Sequence, residues 1–189
     1  ASVTLLGTIC LIVAPKKLKH AEQVFRAQSL MLLSERKFDV LERLIAKQVL
    51  LRWFGPSHLL PETMAMAAAG RGHHEEALQS FRKALGTAHE QHKNRIQTNL
   101  ARELVNAGHW AEARTTYQAI LGRDQTNAQA YAGLGLAMLQ EGVEYEIAIE
   151  HLESALHHGI ARDTEVHLAL TQLRLLVGDS KWTDSLENA

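Results

Sequence analysis

Gly72-His-His-Glu-Glu-Ala77-Leu-Gln-Ser-Phe81-Arg-Lys-Ala84 is the stretch that decides the fold, because the chain writes it again. It returns as Gly108-His-Trp-Ala-Glu-Ala113-Arg-Thr-Thr-Tyr117-Gln-Ala-Ile120. With one extra residue it returns once more, as Gly142-Val-Glu-Tyr-Glu-Ile-Ala148-Ile-Glu-His-Leu152-Glu-Ser-Ala155. Counting Gly178, these turn glycines stand 36, 34 and 36 residues apart. Self-similarity at a period near 34 marks stacked helix-turn-helix units, each too small to bury its apolar face alone. The expected fold class is therefore all-α, built of antiparallel helix hairpins.

Working outward from the glycines, helices are expected over 61–69 and 74–89, then 94–106 and 110–121, then 128–140 and 145–157. The extra residue between Gly142 and Ala148 predicts a distorted turn. A last helix runs over 163–178, and 182–189 is too short for a full partner, so it reads as a partial cap or a tail. Upstream, helices over 18–33 and 38–54 form a degenerate hairpin. It ends at Gly55-Pro56-Ser57, a helix stop followed by a fresh start. The chain thus divides into 1–15, a capping hairpin at 16–57, the repeats at 58–178, and a tail at 179–189.

Residues 1–15 carry no charge and are followed at once by Lys16, Lys17 and Lys19. As a helix they reach about 22 Å, short of a hydrocarbon core of roughly 30 Å. Two readings stay open: the end of a membrane span with the lysines on the cytoplasmic side, or a packed strand rich in Val, Ile and Thr. The positive cluster follows the apolar run, which is the wrong order for a cleaved signal peptide.

Composition narrows the function. Apolar residues make up 46% of the chain and aromatics only 5%, so alanine and leucine fill a closely packed helical interior. A formal charge of -1 argues against a nucleic-acid partner, which needs a basic surface to displace counterions. Cys10, the one cysteine, sits in the apolar run, where a thiolate is disfavoured. No Gly-x-Ser-x-Gly or phosphate-cradling loop is present, and Gly133-Leu-Gly135 falls inside an expected helix, where it reads as close packing. Among eleven histidines, only His89 and His92, at i and i+3 on one expected helix, could share a metal, and no third ligand lies near them in sequence. The chain reads as a non-enzyme without metal or cofactor.

The repeats resemble the tetratricopeptide repeat family. Ala65, Ala101 and Gly135 stand at its small position 8, Ala77, Ala113 and Ala148 at position 20, and Phe81, Tyr117 and Leu152 at position 24. Ala84, Ile120 and Ala155 take position 27. Small residues let paired helices approach, and the larger one fills the gap between successive pairs. Trp110 serves as the position-17 aromatic, His74 replaces it in the preceding repeat, and the proline that often ends a repeat is absent. The resemblance covers about 58–162 and implies a right-handed superhelical solenoid that presents a concave groove to a peptide or partner protein.

Its groove positions fall here on Arg26, Glu62, Met66, Arg95, Thr98, Arg102, Asn106, Gln129, Leu136, Gln140, His167 and Arg174, with Asn99 at position 6. Four arginines against one glutamate suit an acidic segment or a C-terminal carboxylate. The clamp by which some family members grip a chaperone's terminal carboxylates is not matched, since Glu62 and Met66 stand where lysine and asparagine belong. The function implied is a cytoplasmic protein–protein interaction adaptor. The alternative is a structural or assembly subunit of a membrane complex, held at the inner face through 1–15. The last helix, apolar on more than one side through Val166, Leu168, Leu170, Leu173, Leu175 and Leu176, predicts self-association.

Overall fold

A computed structural model describes residues 2–160, 163–179 and 181–188, with side chains from Pro15 onward. The described residues form helices joined by short turns. These are α1 (Ser2–Ser34), α2 (Phe38–Ala46), α3 (Val49–Phe54), α4 (Leu59–Gly70), α5 (His74–Thr87), α6 (Glu90–Asn106) and α7 (Trp110–Leu121). They continue as α8 (Ala128–Glu141), α9 (Tyr145–His157), α10 (Thr164–Val177) and α11 (Trp182–Glu187). Contacts divide the chain into two compact units, Ala1–Glu90 and Gln91–Ala189.

The periodic glycines are helix stops. Gly72, Gly108, Gly142 and Gly178 all adopt φ between 75° and 80°, the left-handed region that a Cβ makes costly. The residue after each glycine donates its N–H to a carbonyl five residues back: His73 to Ala68, His109 to Leu104, Val143 to Met138 and Asp179 to Arg174. This closes the last turn of each preceding helix and satisfies carbonyls that would otherwise have no partner. The inserted residue after Gly142 is absorbed by a second left-handed residue, Glu144, at φ 50° and ψ 51°. Arg114 of α7 holds that turn through Glu141 at 3.5 Å and Glu144 at 3.3 Å.

In the first unit, α1 packs on α2, α3 and α4, α2 packs on α4, and α4 pairs with α5. Phe25, Leu41, Ile45, Leu51, Leu59, Leu60 and Ala67 form its core. Arg71, just past α4, bridges to Asp39 at 2.6 Å and to Glu42, tying α2 to the first repeat hairpin. Two expectations change here. The segment from Ser2 onward is helical and continuous with the helix expected at 18–33, so the packed-strand reading of 1–15 gives way. Its side chains up to Ala14 lie outside the described residues. Among the described residues, no helix is long and apolar enough to cross a membrane.

The single helix expected over 38–54 is two, broken at Lys47 and Gln48, where Gln48 turns to ψ 64°. A continuous helix would carry Leu51 about 240° round from Ile45. The break returns Leu51 to the same core, where it is 3% exposed.

In the second unit, α8 packs on both α7 and α9, α10 on α8 and α9, and α11 on α10. Gly135 of α8 explains one close approach: a Cβ there would stand 2.6 Å from Leu152 Cγ and 3.0 Å from the Ala148 carbonyl. Asn127 caps α8 by accepting from the Ala130 N–H, and Asp163 caps α10 by accepting from Glu165 and Val166. Residues 182–187 of the expected tail form α11.

Candidate functional site

The helix α6 buries Ile96, Leu100, Ala101, Glu103 and Leu104. At helical spacing, this leaves Thr98, Arg102 and Asn106 in one stripe, with Asn99 beside it. The helix α8 offers Gln129, Ala132, Gly133 and Leu136 in the same way. Together with Ile160, Asp163 and Glu165 ahead of and within α10, these side chains line a depression of about 280 Å³ inside the second unit.

Tyr117 of α7 forms part of its lining. The side chain is 3% exposed, and its ring lies so close to Gly133 that a Cβ there would stand 2.2 Å from Tyr117 Cζ. Burial pushes the phenol well above its ordinary pKa, with nearby Arg102 opposing and Glu165 adding to the rise. Tyr117 therefore stays neutral and can both donate and accept a hydrogen bond. Arg102 and Glu165 line the same depression as Tyr117.

The polar groups of the depression are only lightly engaged within the chain. Arg102 reaches Asn99 Oδ1 at 3.5 Å, and Asn106 donates to Glu103 at 3.4 Å. Thr98 donates to the Asn94 carbonyl at 2.9 Å, as threonine does within a helix. Asp163 is occupied as the α10 cap, accepting from the Glu165 N–H at 3.0 Å, while Glu165 is exposed. One guanidinium thus stands near two carboxylates, so the face is mixed in sign.

Of the residues expected to form a groove, Thr98, Asn99, Arg102, Asn106, Gln129 and Leu136 converge on this depression. Arg95 and Gln140 are exposed on α6 and α8 but outside its lining, and His167 is buried. Arg174 faces inward. It is 9% exposed and donates to Ser185, to the Lys181 carbonyl at 3.3 Å and to Glu153, with Asp179 at 3.8 Å. Its place is a joint between α9, α10 and α11. In the first unit, Arg26 pairs with Glu22 at 2.9 Å, Glu62 is 3% exposed, and Met66 is half-buried. The basic excess counted along the sequence is accordingly reduced to Arg102 at the depression.

Sequence reasoning did not assign Val105, Tyr117, Gly133, Ile160, Asp163 and Glu165 to the site. The family's groove positions lie on the first helix of each hairpin, so a second-helix aromatic and the approach to α10 fall outside that template. The pairing of Tyr117 with a glycine at position 6 of the next repeat was the available signal.

The comparisons with known proteins agree with this fold. Residues 68–137 match the tetratricopeptide repeat family. PilF of Pseudomonas aeruginosa superposes with a TM-score of 0.75 at 18% identity, over 92% of this chain and 78% of that one. MamA (residues 41 to the end) from Desulfovibrio magneticus superposes at 0.69 and 18% identity, over 88% and 90%. The C-terminal part of a repeat-containing protein from Cytophaga hutchinsonii superposes at 0.67 and 18%, over 87% and 62%. These likenesses show the fold, an all-α helical repeat. No curated protein matches the sequence.

Proposed function

For a chain that carries tetratricopeptide repeats, we propose that the depression formed by α6, α8 and the start of α10 receives an extended peptide segment of a partner protein, making the chain an interaction adaptor without chemistry of its own. One observation carries this reading. Six side chains chosen for the groove converge with Tyr117 on one concavity whose polar atoms are mostly available. Preformed concavities of this kind combine an apolar floor with a few oriented polar groups. Here Leu136, Ala132 and the Tyr117 ring supply the floor, and Asn99, Arg102 and Gln129 supply the donors and acceptors.

The charge arrangement suggests the ligand's chemistry. Arg102 suits one carboxylate, from an acidic side chain or a chain terminus. Glu165 suits a cation a few residues away, so the peptide proposed is acidic at one end and basic at the other. Asn and Gln amides on the lining suit an extended backbone, which offers both donors and acceptors.

The reading is tested by selecting random peptides on the immobilised chain and titrating the winners against Leu136→Glu and Arg102→Glu. Both positions lie on the lining, so their folding is checked by circular dichroism. Peptides from the selection are expected to lose about tenfold or more with each variant, corresponding to roughly 1.4 kcal/mol or more. Peptides that bind both folded variants as tightly as the unsubstituted chain would place recognition elsewhere.

A further inference from the structure

The short helix α3 exposes the residues that a folded chain ordinarily hides. Among its six residues, Leu51 is buried, whereas Trp53 is 76% exposed, Phe54 70%, Val49 62% and Leu50 46%. An apolar cluster of this kind marks a contact with something other than water. The break between α2 and α3 sets this orientation, because the turn that brings Leu51 to the core sends its neighbours outward.

Charge indicates what the contact is. Residues 1–57 hold nine Lys and Arg against four Asp and Glu, while the rest of the chain holds eleven against seventeen. The four acidic side chains are already matched: Glu22 with Arg26, Glu35 with Lys37, and both Asp39 and Glu42 with Arg71. Lys16, Lys17, Lys19, Arg43, Lys47 and Arg52 are exposed and have no carboxylate at ion-pair distance among the described residues. The three lysines sit on α1, which packs against α3; Lys47 precedes α3, and Arg52 lies within it, next in sequence to Trp53.

We propose that the first unit docks on an anionic lipid surface, with Trp53 and Phe54 of α3 seated at headgroup level and the surrounding cations against the lipid phosphates and carboxylates. Exposed indole and phenyl rings in a unit with an excess of unpaired Lys and Arg match the chemistry of the bilayer boundary. A protein interface also takes Trp, Phe and Arg but is depleted in lysine, and four of these six cations are lysines, so a protein partner suits the patch less well. Long basic side chains can lay their stems along the apolar patch while keeping their charge at the headgroups. This docking is separate from the depression in the second unit and does not depend on it.

The test is partitioning of the full chain onto vesicles of phosphatidylcholine alone or with about one-third phosphatidylserine, read by cosedimentation and by quenching of tryptophan with brominated acyl chains. The unsubstituted chain is expected to bind the anionic vesicles about tenfold or more tightly than the neutral ones. Trp53→Ser/Phe54→Ser is expected to lose about tenfold or more on the anionic vesicles. Lys47→Glu/Arg52→Glu, which leaves the aromatics in place, is expected to lose affinity for anionic vesicles and not for neutral ones. All four side chains are exposed, so unchanged circular dichroism is expected throughout. Equal binding by the aromatic variant would assign the contact to another segment and overturn the proposal. So would indifference to anionic lipid, or a dimer in sedimentation velocity that the aromatic variant abolishes without any vesicle binding.

Discussion

Replacing Gly133 with alanine sets two physical effects against each other at one atom. Glycine inside a helix is about 1 kcal/mol less favourable than alanine, so the exchange alone would stabilise α8. The new Cβ, however, would stand 2.2 Å from Tyr117 Cζ, far closer than the ordinary carbon–carbon contact of about 3.5 Å. The ring has little room to retreat, being 3% exposed on a helix that also buries Ala113 and Ile120. Overpacking of this kind costs about 3 kcal/mol at the upper end of its usual range, leaving a net loss near 2 kcal/mol.

Gly86 in α5 is the control. Nothing lies within 4 Å of a Cβ there, and alanine should stabilise the chain by about 1 kcal/mol. Urea unfolding followed by circular dichroism at fixed temperature measures both variants, and the two should differ by about 3 kcal/mol. Gly133→Ala with stability equal to or above that of Gly86→Ala would refute the claim that Tyr117 is held against that glycine. Adding Tyr117→Leu should restore most of the loss, since Leu152 fills the corresponding place in the next repeat.

Further outcomes follow from the same geometry. Arg174→Met should cost about 2 kcal/mol, below the usual range for a broken buried pair because Glu153 and Asp179 keep partial access to water, and should make α11 the first site of limited proteolysis. Asp163→Ala removes the α10 cap and should cost about 1 kcal/mol in the same urea assay. His151, packed near Tyr131, has its pKa held below the ordinary 6.5 chiefly by burial, with Glu150 partly opposing. Its neutral form is the one the fold favours. Its contribution to stability should therefore be complete above 6.5 and decline as pH falls through the lower folded-state pKa, a slope that His151→Phe should remove. Leu168, Leu175 and Leu176 are each at least half exposed, so self-association through α10 should appear in sedimentation at micromolar concentration and vanish in Leu175→Lys/Leu176→Lys.

The hairpins were legible in the sequence because their turns demand one residue type. Only glycine takes φ near +80° without penalty, so its spacing prints the repeat directly. The paired positions Ala77/Phe81/Ala84 and Ala113/Tyr117/Ile120 were legible for the same kind of reason, since each is fully or nearly fully buried. The break at Lys47–Gln48 was not, because no glycine or proline marks it and the need to bury Leu51 exists only once α1 is in place. The lining of the depression was half legible. A helix-face template finds Thr98, Arg102 and Leu136, but it counts Arg174 as surface because Ser185 and Glu153, which claim it, lie 11 and 21 residues away. Asp163 and Glu165 escaped for the complementary reason: they reach the depression from the start of α10, outside the face assigned to that helix.

The central claim, that a peptide is recognised in the depression of the second unit, is tested most directly by amide chemical-shift mapping with a peptide selected on the chain. The account predicts perturbations that saturate together and cluster at Thr98, Asn99, Arg102, Tyr117, Gln129, Leu136 and Glu165. Saturating perturbations confined to other residues, with this set unmoved, would contradict it.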